Sequence, residues 1–290
     1  MRLLGVGDNV VDRYVTLGRE YPGGNAVNVA VFARRLGAES SYMGVLGDDL
    51  SGQYVLDSLR REGVGTEFCE VAQGPNAFAE VKTVDTDRVF VGAKPNVATF
   101  SPKESHFENM SDFDVVHSGY AGTFGSSVVA MAEESKVSYD FGSEEKYTLE
   151  SVDLQSMLPH LYLASFSGSH LDAAGAEALA HYAIEHGAKH ALVTRGRNGA
   201  YLAQSSSGMW QDAEPISVVD TLGAGDAFIA SVLVGLLNRR KVSDVLASAS
   251  AHAAQVCTRY GAFGDGRPFS SRNAGRAAKK ESSNTKAGIQ

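Results

Sequence analysis

The segment at residues 218–231, VVDTLGAGDAFIAS, places glycines and a carboxylate at the start of an apolar run. Gly223 and Gly225 flank Ala224, and Asp226 follows directly. Residues 227–237 are apolar apart from Ser231 and Gly235 and predict a buried helix, whose first turn has unpaired backbone N–H groups at the positive end of the helix dipole. Because glycine lets a ligand approach the backbone closely, residues 223–225 are candidates for binding an anion, in particular a phosphate.

Asp226 would lie beside this anion site, at the predicted start of the helix. Its carboxylate could orient a hydroxyl group and accept the proton as that hydroxyl attacks a phosphoryl group. Phosphoryl transfer depends mainly on positioning and charge stabilisation, so a modest base is sufficient. The alternative is that Asp226 is only a helix N-cap, which is a common role for aspartate.

A second glycine pair, Gly23 and Gly24, precedes another predicted helix. Asn25 and Asn28 are three residues apart, so both can face the same side of its first turn. Amide side chains donate and accept hydrogen bonds, which suits sugar hydroxyls, and Asp12 adds an acceptor for a pair of hydroxyls. The alternatives are a buried Asn28 bonded to backbone and a turn or surface carboxylate at residue 12.

The elements that must position these residues alternate between short β-rich runs and longer helical segments. Strands are predicted at 3–7, 41–46, 115–117, 137–141, 161–165 and 191–194, and helices at 25–36, 51–62, 173–186 and 227–237. This alternation predicts an α/β fold with a mostly parallel sheet covered by helices on both faces. Ligands of such sheets bind beyond the carboxyl ends of the strands.

Two segments break the alternation. Residues 10–17 are β-branched and follow the first strand without a helix, and residues 78–84 and 88–92 predict a hairpin. These segments could form a small separate sheet that acts as a lid, or an antiparallel extension of the main sheet, and the pattern alone leaves both interpretations open.

Composition and motifs exclude several classes of protein. The net charge of −8 argues against nucleic-acid binding, and no apolar run is long enough to span a membrane. Two distant cysteines make neither a disulfide framework nor a zinc site, which favours the cytoplasm. The glycines at 5 and 7 lack the third glycine of a dinucleotide fingerprint, and neither GxxxxGK[ST] nor HExxH occurs.

The segment from residue 265 to residue 290 differs from the rest of the chain, with six Lys or Arg against two Asp or Glu. It is poor in large apolar residues, which predicts a mobile basic tail. A tail of this charge could contact RNA or a membrane, although a solvated terminus is the simpler interpretation.

Five motifs occur in order along the chain: GDNVVD (7–12), PGGNAVNVA (22–30), GVLGDD (44–49), VTRGRNGA (193–200) and DTLGAGDAF (220–228). Together they resemble the ribokinase-like, or PfkB-type, carbohydrate kinases over about residues 3–263. Within that family, GDNVVD, GGNAVNVAV and DRVF at 87–90 resemble the fructoselysine 6-kinases, which phosphorylate O6 of a sugar–amino acid conjugate.

The resemblance implies a three-layer α/β/α sandwich in a domain at 1–264, with a β-lid from about 10–20 and 74–94. It implies ATP and Mg²⁺, a small sugar or sugar-amine substrate, and a homodimer formed through the lid. It also implies site residues, which are the base Asp226 with the anion hole Gly223, Ala224 and Gly225, the sugar contacts Asp12, Gly23, Gly24, Asn25 and Asn28, and the nucleotide contacts Thr194, Gly196 and Gly199.

The sequence leaves alternative roles open for three further residues. Asp220 and Thr221 match the segment where some members bind a monovalent cation such as K⁺. Arg88, on the predicted lid hairpin, is a candidate contact to substrate or to a partner's lid, and a solvated strand arginine is the alternative.

The chain departs from the family pattern after a central strand, where many members carry N-x-x-E. This motif is tied to Mg²⁺ and phosphate in the family. The corresponding segment here is SFSGSH (165–170), with neither Asn nor Glu. Asp140, at the end of a predicted strand, could help to hold the metal through a water molecule. Two rival functions stay open: a kinase for another small sugar or a nucleoside, and a non-catalytic sugar or nucleotide sensor on the same fold.

Overall fold

The computed structural model describes residues 1–84, 87–98, 103–121, 125–143, 149, 151–205 and 207–269. At residues 83, 84, 87–90 and 152 it describes the backbone alone. No helix in these ranges is both long and apolar enough to cross a membrane.

Among the described residues, nine strands form the main sheet. They are β1 (Arg2–Val6), β4 (Glu39–Gly47), β5 (Gly65–Ala72), β8 (Val115–Gly119), β9 (Lys136–Ser143), β10 (Leu161–Ser167), β11 (His190–Thr194), β12 (Ala200–Gln204) and β13 (Ser207–Gln211). Their spatial order is β13-β12-β11-β10-β9-β8-β1-β4-β5, and the seven strands from β11 to β5 are parallel. The predicted mostly parallel sheet is therefore confirmed, whereas the antiparallel β12–β13 hairpin at one edge was not predicted.

Helices cover both faces of this sheet. They are α1 (Asn25–Arg35), α2 (Leu50–Arg61), α3 (Glu104–Met110), α4 (Val128–Glu134), α5 (Val152–Met157), α6 (Ala173–Glu185), α7 (Ala224–Leu237) and α8 (Val242–Val256). Two hydrophobic cores result. One contains α1, α2, α7 and α8 with side chains such as Leu3 and Val115, and the other contains α3–α6 with side chains such as Leu4 and Val116. Consecutive strand residues thus enter opposite cores, which confirms the three-layer sandwich.

A second sheet of five strands lies apart from the main sheet, which supports the lid interpretation over the extension. Its members are β2 (Val10–Tyr14), β3 (Arg19–Gly23), β6 (Phe78–Val84), β7 (Asp87–Lys94) and β14 (Arg267–Pro268), in the order β14-β3-β2-β6-β7. We call this sheet the lid. The predicted hairpin is confirmed as β6 and β7, although β2 pairs with β6 in parallel, and the turn at 85–86 lies outside the described residues.

The predicted boundary of the C-terminal tail at residue 265 is wrong for its first five residues. Arg267 pairs with Glu20 in the lid sheet, and its guanidinium contacts the buried Glu20 carboxylate at 2.6 Å. Phe269 N donates to Gly18 O at 2.8 Å. The buried Glu20 carboxylate on β3 binds Arg267 and thereby holds the first residues of the predicted tail against the lid. The rest of the predicted tail, at 270–290, lies outside the described residues.

Candidate active site

The helix that carries Asp226 begins earlier than the sequence predicts. Helix α7 starts at Ala224, and its N-cap is Gly223, which has the left-handed backbone angle φ of 80°. A Cβ at Gly223 would also lie 2.5 Å from the Cβ of Ala262, so both conformation and space require glycine. Since Gly223 occupies the N-cap position, Asp226 is the third helical residue, and its interpretation as a mere N-cap is wrong.

Gly225 is the most open position of the predicted anion hole. It is exposed, and in the described ranges no atom outside its chain neighbours and its own helix lies within 4 Å of the place a Cβ would take. By contrast, the N–H of Ala224 already donates to Thr221 O at 3.2 Å. The start of α7 therefore leaves space for a ligand next to Gly225.

Two amides from α1 hold the carboxylate of Asp226. Asn25 Nδ2 donates to Asp226 Oδ1 at 2.7 Å, and Asn28 Nδ2 donates to Asp226 Oδ2 at 2.7 Å. The contacts form because α1 and α7 pack against each other on the same face of the sheet. Asn25 and Asn28 do share one side of the first turn, as their spacing predicts. Their amide groups orient the candidate base, and the buried Asn28 Oδ1 has no hydrogen-bond partner among the described residues, which leaves one acceptor for a ligand.

A second carboxylate binds the same amide. Asn25 Nδ2 also donates to Asp140 Oδ2 at 2.9 Å, and Gly142 N donates to Asp140 Oδ1 at 2.9 Å. Burial, and next the charge of Asp226, raise the pKa of Asp140 to about 7. Asp140 therefore changes its charge near neutral pH, and it shares the Asn25 amide with Asp226, the candidate base.

A third carboxylate, that of Asp8, anchors the start of α1. It accepts hydrogen bonds from Asn25 N at 3.0 Å and Ala26 N at 3.4 Å, which satisfies two of the amides that a helix N-terminus leaves unpaired. Burial raises the pKa of Asp8 despite these bonds. The GDN motif thus fixes the helix that presents Asn25 to Asp226.

Asp12 and the glycine pair lie next to each other. Asp12 is buried on β2, and a Cβ at Gly23 would lie 2.1 Å from Asp12 Oδ2, so only glycine leaves room for the carboxylate. Gly24, the N-cap of α1, has a φ of 113°, and a Cβ there would lie 2.8 Å from Asp8 O. Because Gly23 and Gly24 lead into Asn25, these residues bring Asp12 of the lid next to the start of α1.

Asp220 does not present a free carboxylate. Tyr14 of β2 donates its hydroxyl to Asp220 Oδ2, which also accepts from Gly261 N at 2.9 Å, and Asp220 Oδ1 accepts from Leu222 N at 3.2 Å. The carboxylate is buried and serves to connect these segments. The role of Asp220 and Thr221 as ligands of a monovalent cation stays a prediction that these contacts do not support.

The predicted nucleotide contacts lie at and just beyond the carboxyl end of β11, at the same edge of the sheet as the carboxyl end of β9, the strand that carries Asp140. Thr194 is the last residue of β11, and Gly196 is exposed with open space around its Cα. Gly199 is buried, and a Cβ there would lie 2.1 Å from the backbone oxygen of Gln211, the last residue of β13. Glycine at this position therefore allows the close approach of the chain before β12 to the end of β13. Arg88 lies on β7, but its side chain is outside the described residues.

Sequence reasoning missed His117 and Ser138. His117 Nε2 lies 3.0 Å from Asn25 Oδ1, and His117 Nδ1 lies 3.1 Å from Ser138 Oγ. Both residues are fully buried on neighbouring strands, where they pair directly. A lone histidine in a strand gives no signal of such a role, because the contact depends on how α1 packs on the sheet.

Comparisons with known proteins identify the class of enzyme that this fold and site define. Residues 6–138 and 162–266 match the model of the pfkB family carbohydrate kinases, and the chain belongs to that family. The expected ribokinase-like fold and the expected ATP-dependent carbohydrate kinase activity are confirmed by this assignment.

Among curated proteins, the chain is similar to fructosamine kinase FrlD of Bacillus subtilis, with 36% identity over 96% of this chain and 99% of the relative. It is also 32% identical to fructoselysine 6-kinase of Escherichia coli, over 89% of this chain and 98% of the relative. The fold is shared with Arabidopsis thaliana ribokinase in complex with ribose and ATP, at a TM-score of 0.76, 20% identity, and coverage of 90% and 93% of the two chains.

Proposed function

We propose that the protein transfers the γ-phosphoryl group of ATP to a primary sugar hydroxyl, and that this hydroxyl is O6 of fructoselysine or a related fructosamine. The observation that carries the proposal is the carboxylate of Asp226, held by Asn25 and Asn28 in the first turn of α7. The names of the fructosamine and fructoselysine kinases that resemble the chain support the substrate class.

In this mechanism Asp226 orients the acceptor hydroxyl and takes its proton. The bond between O6 and the γ-phosphorus forms as the bond from that phosphorus to the bridging oxygen breaks, and ADP leaves with the electron pair. The two amide donors keep the carboxylate from rotating away from the hydroxyl, which matters because positioning supplies most of the catalysis. Within the predicted anion hole, the N–H groups of Gly223 and Gly225 would donate to the phosphoryl oxygens, whereas that of Ala224 already donates to Thr221 O.

We propose that a Mg²⁺ ion would arrive with the nucleotide and would not occupy a site built from protein side chains alone. Among the described residues, no three His, Cys, Asp or Glu side chains are grouped to hold a metal on their own. Mg²⁺ typically keeps several waters and is held by few carboxylates together with substrate phosphates. When bound in this way, Mg²⁺ would neutralise part of the phosphate charge.

The lid would cover the acceptor and exclude water, which limits ATP hydrolysis. Asp12 lies on this sheet, where we assign it to sugar hydroxyls. The proposed homodimer would use the open edge of the lid at β7, since an unpaired edge strand offers backbone groups to a second copy. Sedimentation velocity over a range of protein concentrations would detect this dimer, and a monomer at every concentration would exclude it.

The test is ADP release by the purified protein with ATP, Mg²⁺ and fructoselysine, beside fructose, ribose and a nucleoside. We expect turnover on fructoselysine to exceed turnover on the other acceptors, and NMR of the product should place the phosphate on O6. Faster turnover on another acceptor would overturn the substrate assignment while keeping the kinase chemistry. Binding of ATP without turnover on any acceptor would favour a sensor.

A further inference from the structure

A continuous chain of side-chain contacts runs from the centre of the main sheet to Asp226. Ser138 Oγ contacts His117 Nδ1 at 3.1 Å, and His117 Nε2 contacts Asn25 Oδ1 at 3.0 Å. The opposite end of the Asn25 amide donates to Asp226 at 2.7 Å and to Asp140 at 2.9 Å. We propose that His117 and Asp140 are positioning residues of the phosphoryl transfer and act on Asp226 through the side-chain amide of Asn25. This inference rests on the proposed role of Asp226 as the base.

The protonation of the chain has one consistent solution. Burial lowers the pKa of His117 to about 3, so the ring is neutral and carries a single N–H. Asn25 Oδ1 can only accept, which places the proton on His117 Nε2 and makes His117 Nδ1 the acceptor for the Ser138 hydroxyl. A reversed Asn25 amide would point its oxygen at two carboxylates. The histidine therefore holds Asn25 in the orientation that gives both N–H groups to acids.

Glycines create the space for this contact. A Cβ at Gly5 would lie 2.3 Å from Ala26 O, so glycine on β1 lets the start of α1 lie directly on the sheet. A Cβ at Gly119 would lie 2.4 Å from Asn25 Oδ1, so glycine on β8 leaves room for the amide. In the sheet, Gly5 pairs with His117, and Gly119 pairs with Asp140. The sheet under Asn25 is thus shaped to receive that side chain.

Each hydrogen of the Asn25 amide goes to a different carboxylate, which couples the two acids. Among the described residues, the charges that raise the pKa of Asp140 are Asp226 from α7 and Asp8 from the segment after β1, and the charge of Asp140 in turn raises the pKa of the adjacent Tyr139. No described cation is among the causes that shift the pKa of Asp140 from its usual range. When Asp140 loses its proton near neutral pH, the added negative charge raises the affinity of Asp226 for the proton of the acceptor hydroxyl.

The first experiment compares His117→Leu with His117→Gln under saturating ATP and acceptor. Leucine removes the donor to Asn25, and we expect kcat to fall at least tenfold, toward the ~100-fold that a misplacement of about 1 Å costs. Glutamine has an N–H that can replace Nε2–H, so we expect most of the kcat to return. A KM for ATP that changes much less than kcat would separate positioning from general damage. An unchanged kcat in His117→Leu, or an equal loss in folded His117→Gln, would overturn the role of His117.

The second experiment records kcat against pH for the wild type and for Asp140→Asn. We expect the wild-type kcat to rise through an inflection near pH 7, and we expect that inflection to be absent in Asp140→Asn. Persistence of the inflection in the variant would overturn the role of Asp140. If another acceptor proves to be the substrate, both comparisons are made with that acceptor. An error in the proposed substrate is then not confused with an error in the proposed roles of His117 and Asp140.

NMR provides a readout that does not depend on activity. Nitrogen-15 shifts should show His117 as the neutral Nε2–H tautomer across pH 5 to 9, and carbon-13 shifts should show that the Asp140 titration moves to lower pH in Asp226→Asn. A charged or Nδ1–H histidine, or an Asp140 that titrates identically in Asp226→Asn, would overturn the coupling even if the kinase is active. If the protein proves inactive but His117 and Asp140 show the expected NMR behaviour, only the proposed function would be refuted.

Discussion

Tyr14, on strand β2 of the lid, donates a hydrogen bond to Asp220, which lies six residues before Asp226 in the loop that leads to α7. Both residues are buried. Rings of Tyr21 and Tyr260 pack on Tyr14 at centroid distances of 5.3 and 5.9 Å. The lid is therefore attached to the loop that positions the candidate base.

This contact predicts the effect of Tyr14→Phe. Loss of the hydroxyl leaves the buried Asp220 carboxylate with fewer donors. We expect the free energy of unfolding to fall by about 1.5–3 kcal/mol, as for other hydrogen bonds to charged groups. We also expect a higher KM for the sugar, because Asp12 lies on the same strand. Urea unfolding and acceptor titrations measure both effects. Tyr260→Phe, which keeps a neighbouring ring, is the control, and equal behaviour of the two variants would contradict the prediction.

Asp226→Asn tests the base directly. The amide is close in size to the carboxylate but cannot accept the proton of the hydroxyl, so we expect kcat to fall at least ~100-fold, the low end for loss of a positioned base. Steady-state ADP release measures the loss. Asp57→Asn, on the exposed surface of α2, should leave kcat unchanged. Near-normal turnover by Asp226→Asn would remove the residue from this role.

Gly225→Ala tests whether a ligand occupies the open space at the start of α7. Apart from its chain neighbours and its own helix, no described part of the protein lies within 4 Å of the added methyl group, and alanine favours a helix over glycine by up to about 1 kcal/mol. We therefore expect unchanged or higher stability together with at least tenfold weaker kcat/KM for ATP, since the methyl group would meet a phosphate. Thermal unfolding and ATP kinetics give the two readouts. Normal kinetics in this variant would show that no phosphate binds against Gly225.

Two truncations locate the end of the folded chain. A chain that ends at Phe269 keeps the contact between Arg267 and Glu20 and the bond from Tyr54 Oη to Asp265 O at 2.6 Å. A chain that ends at Gly264 leaves Glu20 buried with Arg13 at 3.3 Å. We expect the shorter chain to be less stable by about 1.5–3 kcal/mol, because the buried Glu20 carboxylate loses one of its two charged donors and keeps only Arg13. Equal urea midpoints for the two chains would refute the structural role of residues 265–269.

The sequence predicts the parts of the fold that follow from local patterns. Alternating strands and helices predict the parallel sheet, and the hairpin at 78–92 follows from turn residues between β-rich runs. Strand β3 was missed because Arg19–Gly23 contains Pro and Gly and is polar, and it becomes a strand only through its partners β2 and β14. Strand β14 was missed because it is a short basic segment, and nothing in its local sequence indicates that Arg267 pairs with the buried Glu20.

The same distinction applies to the site. Asp226 and Asn25 stand out because glycines precede them and helices follow them, so their chemistry is visible in the chain itself. Their mutual contact is a tertiary fact that depends on α1 packing against α7. His117 lies in the buried strand segment VVHSG, where a histidine is usually only a satisfied core residue. Its relation to Asn25 requires the register of β8 and the space that Gly119 leaves.

The composition of the lid has a consequence for the order in which the molecule folds. Its strands come from distant parts of the chain, and the contact between Glu20 and Arg267 joins residues 247 positions apart. Closing so long a loop is slow and costs entropy before any contact forms. The lid should therefore form after the main sheet and open before it, so amides of β2 should exchange with deuterium sooner than those of β8. Since Asp12 lies on β2, the ability to bind sugar would appear only in the last step of folding.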